Sequence, residues 1–166
     1  MRKSEAKLKR EQRKLSRKTK GSNSRKEQRT RVAKIHRKVK NQRNDFLHKE
    51  SCKLVRKYDV IVFEDLRIQN MLKNHKLAKS ISDASWSKFI EYTTYKAESA
   101  GKKVILVNPQ NTSQICSGCG VIVKKSLSVR THKCPYCGLI LDRDVNAAIN
   151  ILRAGTAPGG ATAVAG

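Results

Sequence analysis

The sequence predicts an α/β fold with a basic helical hairpin at its N-terminal end and a small four-cysteine ribbon inserted near its C-terminal end. Three observations support this prediction. Two apolar runs rich in β-branched residues, 60–63 and 104–107, flank a segment with helical periodicity. The first third of the chain is strongly basic and also helical in its spacing. Four of the five cysteines form two C-x-x-C pairs.

The basic segment 1–57 predicts two helices joined by a short turn. Leu8 and Leu15 stand seven residues apart in an otherwise charged stretch, and the turn-forming sequence KGSN follows. A second helix, from about 26 to 57, carries an apolar seam at helical spacing. The seam consists of Val32, Ile35, Val39, Phe46, Leu47 and Leu54. Two helices joined by so short a turn fold back as an antiparallel hairpin.

The two apolar runs predict a pair of parallel strands. The sequence DVIVFEDL at 59–66 is typical of a strand buried on both faces, and a second such strand covers 104–107 before Pro109. With the helix between them, they form a right-handed βαβ unit. Because sheets have about five strands on average, we expect this sheet to be incomplete.

The connecting helix is predicted from about 83 to 100. Ser82 or Asp83 can cap its start, and Gly101 ends it. Its apolar face comprises Trp86, Phe89, Ile90, Thr93 and Ala97. The residues before this helix, 67–82, are a polar connection.

The paired cysteines predict a zinc ribbon over 112–140. They are Cys116, Cys119, Cys134 and Cys137, and a glycine follows the second cysteine of each pair. Four thiolates at this spacing suit tetrahedral Zn²⁺, and glycine lets the backbone turn tightly around the metal. The alternative is two disulfides, which the absence of a secretory signal disfavours. We interpret the remaining cysteine, Cys52, as a small packing residue.

The charge of the chain predicts a polyanionic partner. Lys and Arg number 37 against 13 Asp and Glu, for a net charge of +24. Residues 1–57 hold 23 basic and 5 acidic side chains, so most of the excess lies in the hairpin. Nucleic acid is the usual partner of such a surface, whereas a merely soluble helix surface mixes both signs. Because aromatic residues make up only 5%, we expect phosphate contacts rather than base stacking.

Two acids stand where a sheet-edge site would form. Glu64 ends the first buried strand, and Asp144 opens the last predicted helix, 145–153. Each has an ordinary alternative. Glu64 could be a surface acid at a strand end, and Asp144 could be the N-cap of its helix.

Several stretches of the sequence resemble one known family. The motifs are VIVFEDL, then LAKSISDASWSKFIEYTTYKAESAGKKVILVNPQNTSQICSGCG, then CPYCG and DRDVNAAINIL. Together they resemble the C-terminal half of the TnpB family, the OrfB-type transposase-related proteins, which are similar to type V CRISPR effector nucleases. The resemblance covers essentially residues 3–153.

The resemblance implies a partial RNase H-like (RuvC-like) fold whose complete form cuts DNA under the direction of a guide RNA. In this family three acids, in the order Asp, Glu, Asp, hold divalent metal. The glutamate falls on Glu64 and the last aspartate on Asp144, which implies Mg²⁺ there, and the ribbon cysteines imply structural Zn²⁺. The strand with the family's first aspartate has no counterpart in this sequence. We therefore expect the chain to be inactive alone and to need the missing N-terminal part as a partner.

The predicted organisation has four parts. They are the basic helical hairpin 1–57, an incomplete RuvC-like core over 58–111 and 141–153, the zinc ribbon 112–140 and a disordered Gly/Ala-rich tail 154–166. One alternative function is a non-enzymatic nucleic-acid-binding regulator derived from such a nuclease. Another is a zinc-ribbon protein of the ribosomal kind, which would have no use for the two acids. No apolar run suits a membrane span, and reduced thiols without an export signal indicate the prokaryotic cytosol or nucleoid.

Overall fold

The computed structural model of the chain describes residues 2–66, 85–126, 128–157 and 162–163. The elements are α1 (Arg2–Ser16), α2 (Asn23–Lys57), β1 (Val60–Glu64), α3 (Trp86–Ser99), β2 (Lys103–Val107), β3 (Thr131–Lys133), β4 (Ile140–Asp142), α4 (Arg143–Thr156) and β5 (Thr162–Ala163). They divide into two compact units, Met1–Ser51 and Cys52–Gly166. In the described part of the chain, no helix is both long and apolar enough to span a membrane.

The first unit contains the predicted helical hairpin. Val32, Ile35, Val39 and Leu47 are buried along α2, as the apolar seam predicts. The prediction for Phe46 is wrong, because its side chain is 57% exposed. Glu5, near the start of α1, pairs with Arg43 at 3.0 Å, so Phe46 lies near the end of the paired part of the hairpin. At that end the neighbouring Leu47 is the buried residue.

A carboxylate lies inside the hairpin, which the sequence analysis did not predict. Glu11 is 4% exposed and accepts a hydrogen bond from Nε2 of Gln28 at 2.9 Å. The same amide donates to the Glu11 carbonyl oxygen at 3.0 Å. Lys14 and Arg10 approach the carboxylate at 3.0 and 3.5 Å. A buried charge is tolerated only when it is paired in this way, so these contacts align α1 against α2.

The second unit is built on the parallel pair β1 and β2, with Val60 opposite Lys103 and Glu64 opposite Val107. The predicted parallel pairing is therefore confirmed. Helix α3 covers one face of β1, where Phe63 packs edge-on against Trp86 and Phe89. The buried core consists of Val55, Ile61, Phe63, Ala97 and Val104. Because Val55 belongs to this core, the last turn of α2 is part of the second unit rather than of the hairpin.

Helix α4 covers the opposite face of β1. Gly155 is buried there, and a Cβ atom at this position would lie 2.5 Å from Cγ1 of Val62. Helices on both faces explain why the β1 sequence is apolar without alternation. The coverage is incomplete, because Val62 is only half-buried and Val60 is 40% exposed.

Helix α3 ends where the sequence predicts. Gly101 adopts a left-handed φ of 66°, and the backbone N–H of Lys102 donates to the Ala97 carbonyl at 2.8 Å. The predicted caps Ser82 and Asp83 and the predicted connection 67–82 lie outside the described residues.

The prediction of a disordered tail is wrong for two segments. Helix α4 continues through Ala154–Thr156, because Gly155 allows it to pack closely on β1. Thr162 and Ala163 then pair antiparallel with Leu106 and Ile105. This third strand supplies backbone partners to the edge of β2.

The contacts of Glu11 predict a pH-dependent hairpin. The hydrogen bond from Gln28, followed by that from Lys14, lowers the Glu11 pKa from 4.5 to about 2. The stabilisation by the ionised carboxylate is therefore complete above pH 4.5 and is lost as the pH falls towards 2. We expect Glu11→Gln to lower the free energy of unfolding at pH 7 and to flatten its decline at acid pH.

Denaturant unfolding followed by helical circular dichroism, repeated from pH 7 to 3, measures this effect. Glu27→Gln is the matched control, because Glu27 lies on the exposed surface of the same hairpin. Equal pH profiles for the two variants would contradict the assigned role of Glu11.

Candidate functional site

The four predicted ribbon cysteines come together in one cluster. All four Sγ atoms lie within 4.8 Å of one another. Cys116 and Cys137 are 3.6 Å apart at sulfur, as are Cys119 and Cys134. All are unbridged thiols, so the cluster contains no disulfide. Tetrahedral zinc with sulfur at about 2.3 Å requires sulfurs about 3.8 Å apart, so the cluster has the size of a four-thiolate metal site.

Each C-x-x-C pair forms a tight backbone turn. The N–H of Cys116 donates to the Val121 carbonyl, and the N–H of Cys134 donates to the Leu139 carbonyl, both at 2.9 Å. The glycines that follow, Gly120 and Gly138, have φ of 78° and 73°. These left-handed conformations explain the glycine behind each pair.

The thiols of the cluster differ in how readily they ionise. The backbone N–H of Cys137, with a further contribution from that of Tyr136, lowers the pKa of Cys134 to about 6 against the opposing effect of burial. Although the backbone N–H of Leu139 acts in the opposite direction, burial and the contact with Cys134 raise the pKa of Cys137 to about 12. Because metals bind the thiolate, binding of a metal ion by all four cysteines would release protons.

Glu64 stands at the carboxyl end of β1, as predicted. It is half-buried, and its Oε1 accepts a hydrogen bond of 2.5 Å from Oγ1 of Thr112. The neighbouring Asp65 is exposed, and its N–H continues the sheet by donating to the Val107 carbonyl at 2.8 Å. That Glu64 is a metal ligand rather than a surface acid at a strand end stays a prediction.

Asp144 is not the cap of its helix. That position belongs to Asp142, whose Oδ1 accepts hydrogen bonds from the N–H groups of Asp144 and Val145 at 2.8 and 3.3 Å. The N-cap alternative for Asp144 is therefore wrong. Its side chain is exposed in the first turn of α4.

The direction of Asp144 follows from helix geometry. Eleven residues, close to three full turns and about 16 Å, separate Asp144 from Gly155. The two residues therefore share one face of α4, and at Gly155 this face lies against Val62 of β1. That the carboxylates of Glu64 and Asp144 come close enough to share a metal stays a prediction.

Two asparagines of α4 bind the segment that leads into the ribbon. Asn146 is fully buried, accepting from the N–H of Ser117 at 2.9 Å and donating to the Ile115 carbonyl at 2.8 Å. Asn150 donates to the carbonyls of Thr112 and Ile115 at 2.9 and 2.7 Å. No role was predicted for these asparagines from the sequence. Their spacing of four residues, which places two amides on the same face of α4, was the available signal.

The hairpin surface is as basic as the sequence predicts. A shallow groove of about 460 Å³ runs along the outer face of α2. Its lining residues are Lys34, Arg37, Lys38, Asn41, Gln42 and Asp45. Three cations and two amides on one helix face are suited to contact phosphates and polar edges.

Two family models match the chain. The model described as "Probable transposase", of the OrfB type, matches residues 1–75. The model described as "Cas12f1-like, TNB domain" matches residues 86–151. Between them they cover the hairpin, β1, α3, β2, the ribbon and most of α4.

Comparisons with individual proteins agree. A Streptomyces pristinaespiralis protein named as an RNA-guided DNA endonuclease is 44% identical over 158 residues, covering 94% of this chain and 39% of that protein. The Escherichia coli K12 protein InsQ, named in the same way, is 36% identical over 171 residues, covering 93% and 42% respectively. The chain thus spans about two fifths of the length of these relatives.

A solved structure supports the same fold. A protein chain in the cryo-EM structure of a Cas12f1–sgRNA–target DNA complex aligns with a TM-score of 0.62 and 19% sequence identity. The alignment covers 89% of this chain and 40% of that one. At this identity the match supports the partial RuvC-like fold. The two family models and the related sequences show that the chain belongs to the TnpB/OrfB-type family of transposon-encoded proteins.

Proposed function

We propose that the chain is the part of an RNA-guided DNA endonuclease that provides two acids of the metal site and the zinc ribbon. The observation that carries the proposal is the bonding around residues 112–117. Thr112 bonds to Glu64, and the same segment bonds to the helix that bears Asp144. The two predicted acids thus belong to one hydrogen-bonded framework. Two relatives are named as RNA-guided DNA endonucleases, and this is the basis for proposing phosphodiester hydrolysis.

In this proposal Glu64 and Asp144 hold Mg²⁺. Carboxylate oxygens are the ligands that Mg²⁺ prefers, and the exposed Asp144 leaves room for water and substrate oxygens. Bound divalent metal supplies the activation of water and the stabilisation of the leaving oxygen in phosphodiester hydrolysis. The chain's own contribution is to orient two negative charges at one end of the sheet. In this proposal a third acid would come from the missing N-terminal part, since the chain matches only about two fifths of the length of its relatives.

The ribbon cluster in this proposal binds one structural Zn²⁺. Four thiolates fit zinc better than the other common ions, and the sulfur separations support tetrahedral coordination. The metal would hold together a ribbon whose sheet, in the described residues, consists of the short strands β3 and β4.

The proposed macromolecular partners are DNA and a guide RNA. The basic hairpin would contact phosphates, chiefly through exposed cations such as Lys34, Arg37 and Lys38 on α2. Arg10 and Lys14 are less available for this purpose, because they pair with Glu11. Work on DNA would place the protein in the prokaryotic cytosol or nucleoid.

The domain organisation that accompanies this function assigns one role to each part. The hairpin, predicted over 1–57 but with residues 52–57 in the second unit, contacts nucleic acid, and the incomplete core over 58–111 and 141–153 carries the acids. The ribbon 112–140 connects the two segments of that core. A non-enzymatic nucleic-acid-binding protein is the second candidate, and the basic charge of the hairpin alone is enough to favour it.

We expect purified protein to contain close to one zinc per chain. Elemental analysis measures this content, and Cys134→Ser should release the metal because it removes one of four thiolate ligands. Cys52→Ser is the matched control, since Cys52 lies outside the cluster. Retention of zinc by the Cys134 variant would contradict the assigned site.

We expect the hairpin to bind nucleic acid with a steep salt dependence and little sequence preference. If about six phosphates are contacted, affinity should fall about a thousandfold between 50 and 200 mM salt. Arg37→Gln and Lys38→Gln should each reduce the slope of log affinity against log salt by about 1. Fluorescence anisotropy measures these values, with Lys103→Gln in the second unit as control. A flat salt response in the unmodified protein would count against phosphate binding.

We expect the 166-residue chain alone not to cut DNA. Fusion of the N-terminal part of the Streptomyces relative, with a cognate guide RNA, should produce metal-dependent cleavage. Glu64→Gln or Asp144→Asn should then abolish cleavage, because each removes a charge from the metal site. Asp65→Asn, a neighbouring loss of charge on an exposed side chain, should leave it intact. Binding without cleavage by a folded, guide-loaded fusion would favour the non-enzymatic candidate.

A further inference from the structure

The only side-chain partner of Glu64 among the described hydrogen bonds is a threonine 48 residues further along the chain. Oγ1 of Thr112 donates to Oε1 of Glu64 at 2.5 Å, and Thr112 is only 9% exposed. The same hydroxyl is 3.3 Å from the Pro109 carbonyl, which is a much longer contact. A hydroxyl carries one hydrogen, so the carboxylate is its preferred acceptor.

The threonine is itself held from two sides. Its carbonyl accepts the amide of Asn150 at 2.9 Å. It also lies in a turn in which the N–H groups of Gln114 and Ile115 donate to the carbonyl of Asn111 at 2.8 and 2.9 Å. The hydroxyl therefore approaches Glu64 from a fixed backbone rather than from a loose loop.

We propose that Thr112 is a positioning residue that orients the Glu64 carboxylate for divalent metal binding. This inference rests on the proposed function, in which Glu64 is a metal ligand. The Asn150–Thr112–Glu64 chain of hydrogen bonds joins β1 to α4, the helix that carries Asp144. Thr112 thereby fixes one acid relative to the element that bears the other.

The chemistry of the carboxylate explains the benefit. Glutamate has three rotatable bonds, and an unrestrained side chain loses that freedom when it binds a metal. The bond from Thr112 restricts Glu64 in advance and occupies one oxygen, which leaves Oε2 to face a cation. Groups that orient metal ligands in this way change metal affinity by about 10- to 100-fold when they are removed.

The alternative is that Thr112 only fastens the loop. The two roles predict different results for metal affinity. If Thr112 only fastens the loop, removal of its hydroxyl lowers stability and leaves the metal affinity of the folded protein unchanged. If Thr112 positions Glu64, removal of the hydroxyl lowers the metal affinity without changing the fold. A side chain that keeps the hydroxyl then restores the affinity.

The test is the affinity of the full chain for Mn²⁺, measured by electron paramagnetic resonance of the free ion. Thr112→Val keeps the shape and removes the hydroxyl, and we expect about tenfold weaker binding. Thr112→Ser keeps the hydroxyl and should bind like the unmodified protein. Ser113→Ala is the matched control, because that adjacent hydroxyl accepts from Arg143 at 3.3 Å rather than contacting an acid.

Glu64→Gln and Asp144→Asn separate this inference from the proposed function. If neither of these two substitutions weakens Mn²⁺ binding, the proposed metal site is wrong, and the proposed role of Thr112 is wrong as well. If both weaken binding while folded Thr112→Val binds normally, the positioning role is overturned and the metal site stands. Thermal melting establishes folding, and Thr112→Ala replaces the valine variant if that variant does not fold. Weaker binding by the hydroxyl-free variant with rescue by serine supports the proposal.

Discussion

Asn146 is completely buried, and both polar ends of its amide bond to the backbone of the segment that enters the ribbon. Leaving a buried polar group without a partner costs about 1–3 kcal/mol, so this side chain permits few other arrangements of that segment. Asn150 repeats the contact one turn later, and Arg153 donates to the Ser117 carbonyl. The ribbon has too small a sheet to impose its own orientation. These bonds fix its entry to α4, and Glu64 is oriented through the same segment.

The first unit uses a comparable arrangement. Its helices are composed largely of charged residues, so the apolar seam alone is narrow and tolerates sliding of one helix along the other. Glu11 and Gln28 bond in the interior, and Glu5 and Arg43 bond at one end. Because these contacts satisfy each other at one alignment only, they select the register of the hairpin. Exposed charges then remain free to face solvent or a polyanion.

Sequence reasoning succeeded where a pattern depends on neighbours along the chain. The apolar runs at 60–63 and 104–107, the C-x-x-C pairs and the helix end at Gly101 all have local physical causes. It failed where the cause lies elsewhere in the fold. Phe46 and Leu47 both belong to the predicted seam, yet Phe46 is exposed and Leu47 is buried, a difference that helical spacing alone does not predict.

The residue types of the candidate site could be predicted from the sequence. The hydrogen bonds that join those residues to the rest of the fold could not. The carboxyl end of a buried strand drew attention to Glu64, and four cysteines at regular spacing indicated a metal cluster. Nothing in the sequence linked Thr112 to Glu64, because 48 residues separate them and threonine is common in turns. Asp142 and Asp144 are equally plausible caps by composition. Only the hydrogen bonds of Asp142 decide between them.

Gly155 sets the smallest separation between α4 and the sheet. A methyl group there would lie 2.5 Å from Val62, so any larger residue would force the helix outward at its C-terminal end. The hydrogen bonds of Asn146 and Asn150 hold α4 ahead of Gly155, so an outward displacement of the C-terminal end would tilt the helix. The N-terminal end of the helix, which carries Asp144, would then move as well. The absence of a side chain at Gly155 therefore contributes to the tilt of the helix whose first turn carries Asp144.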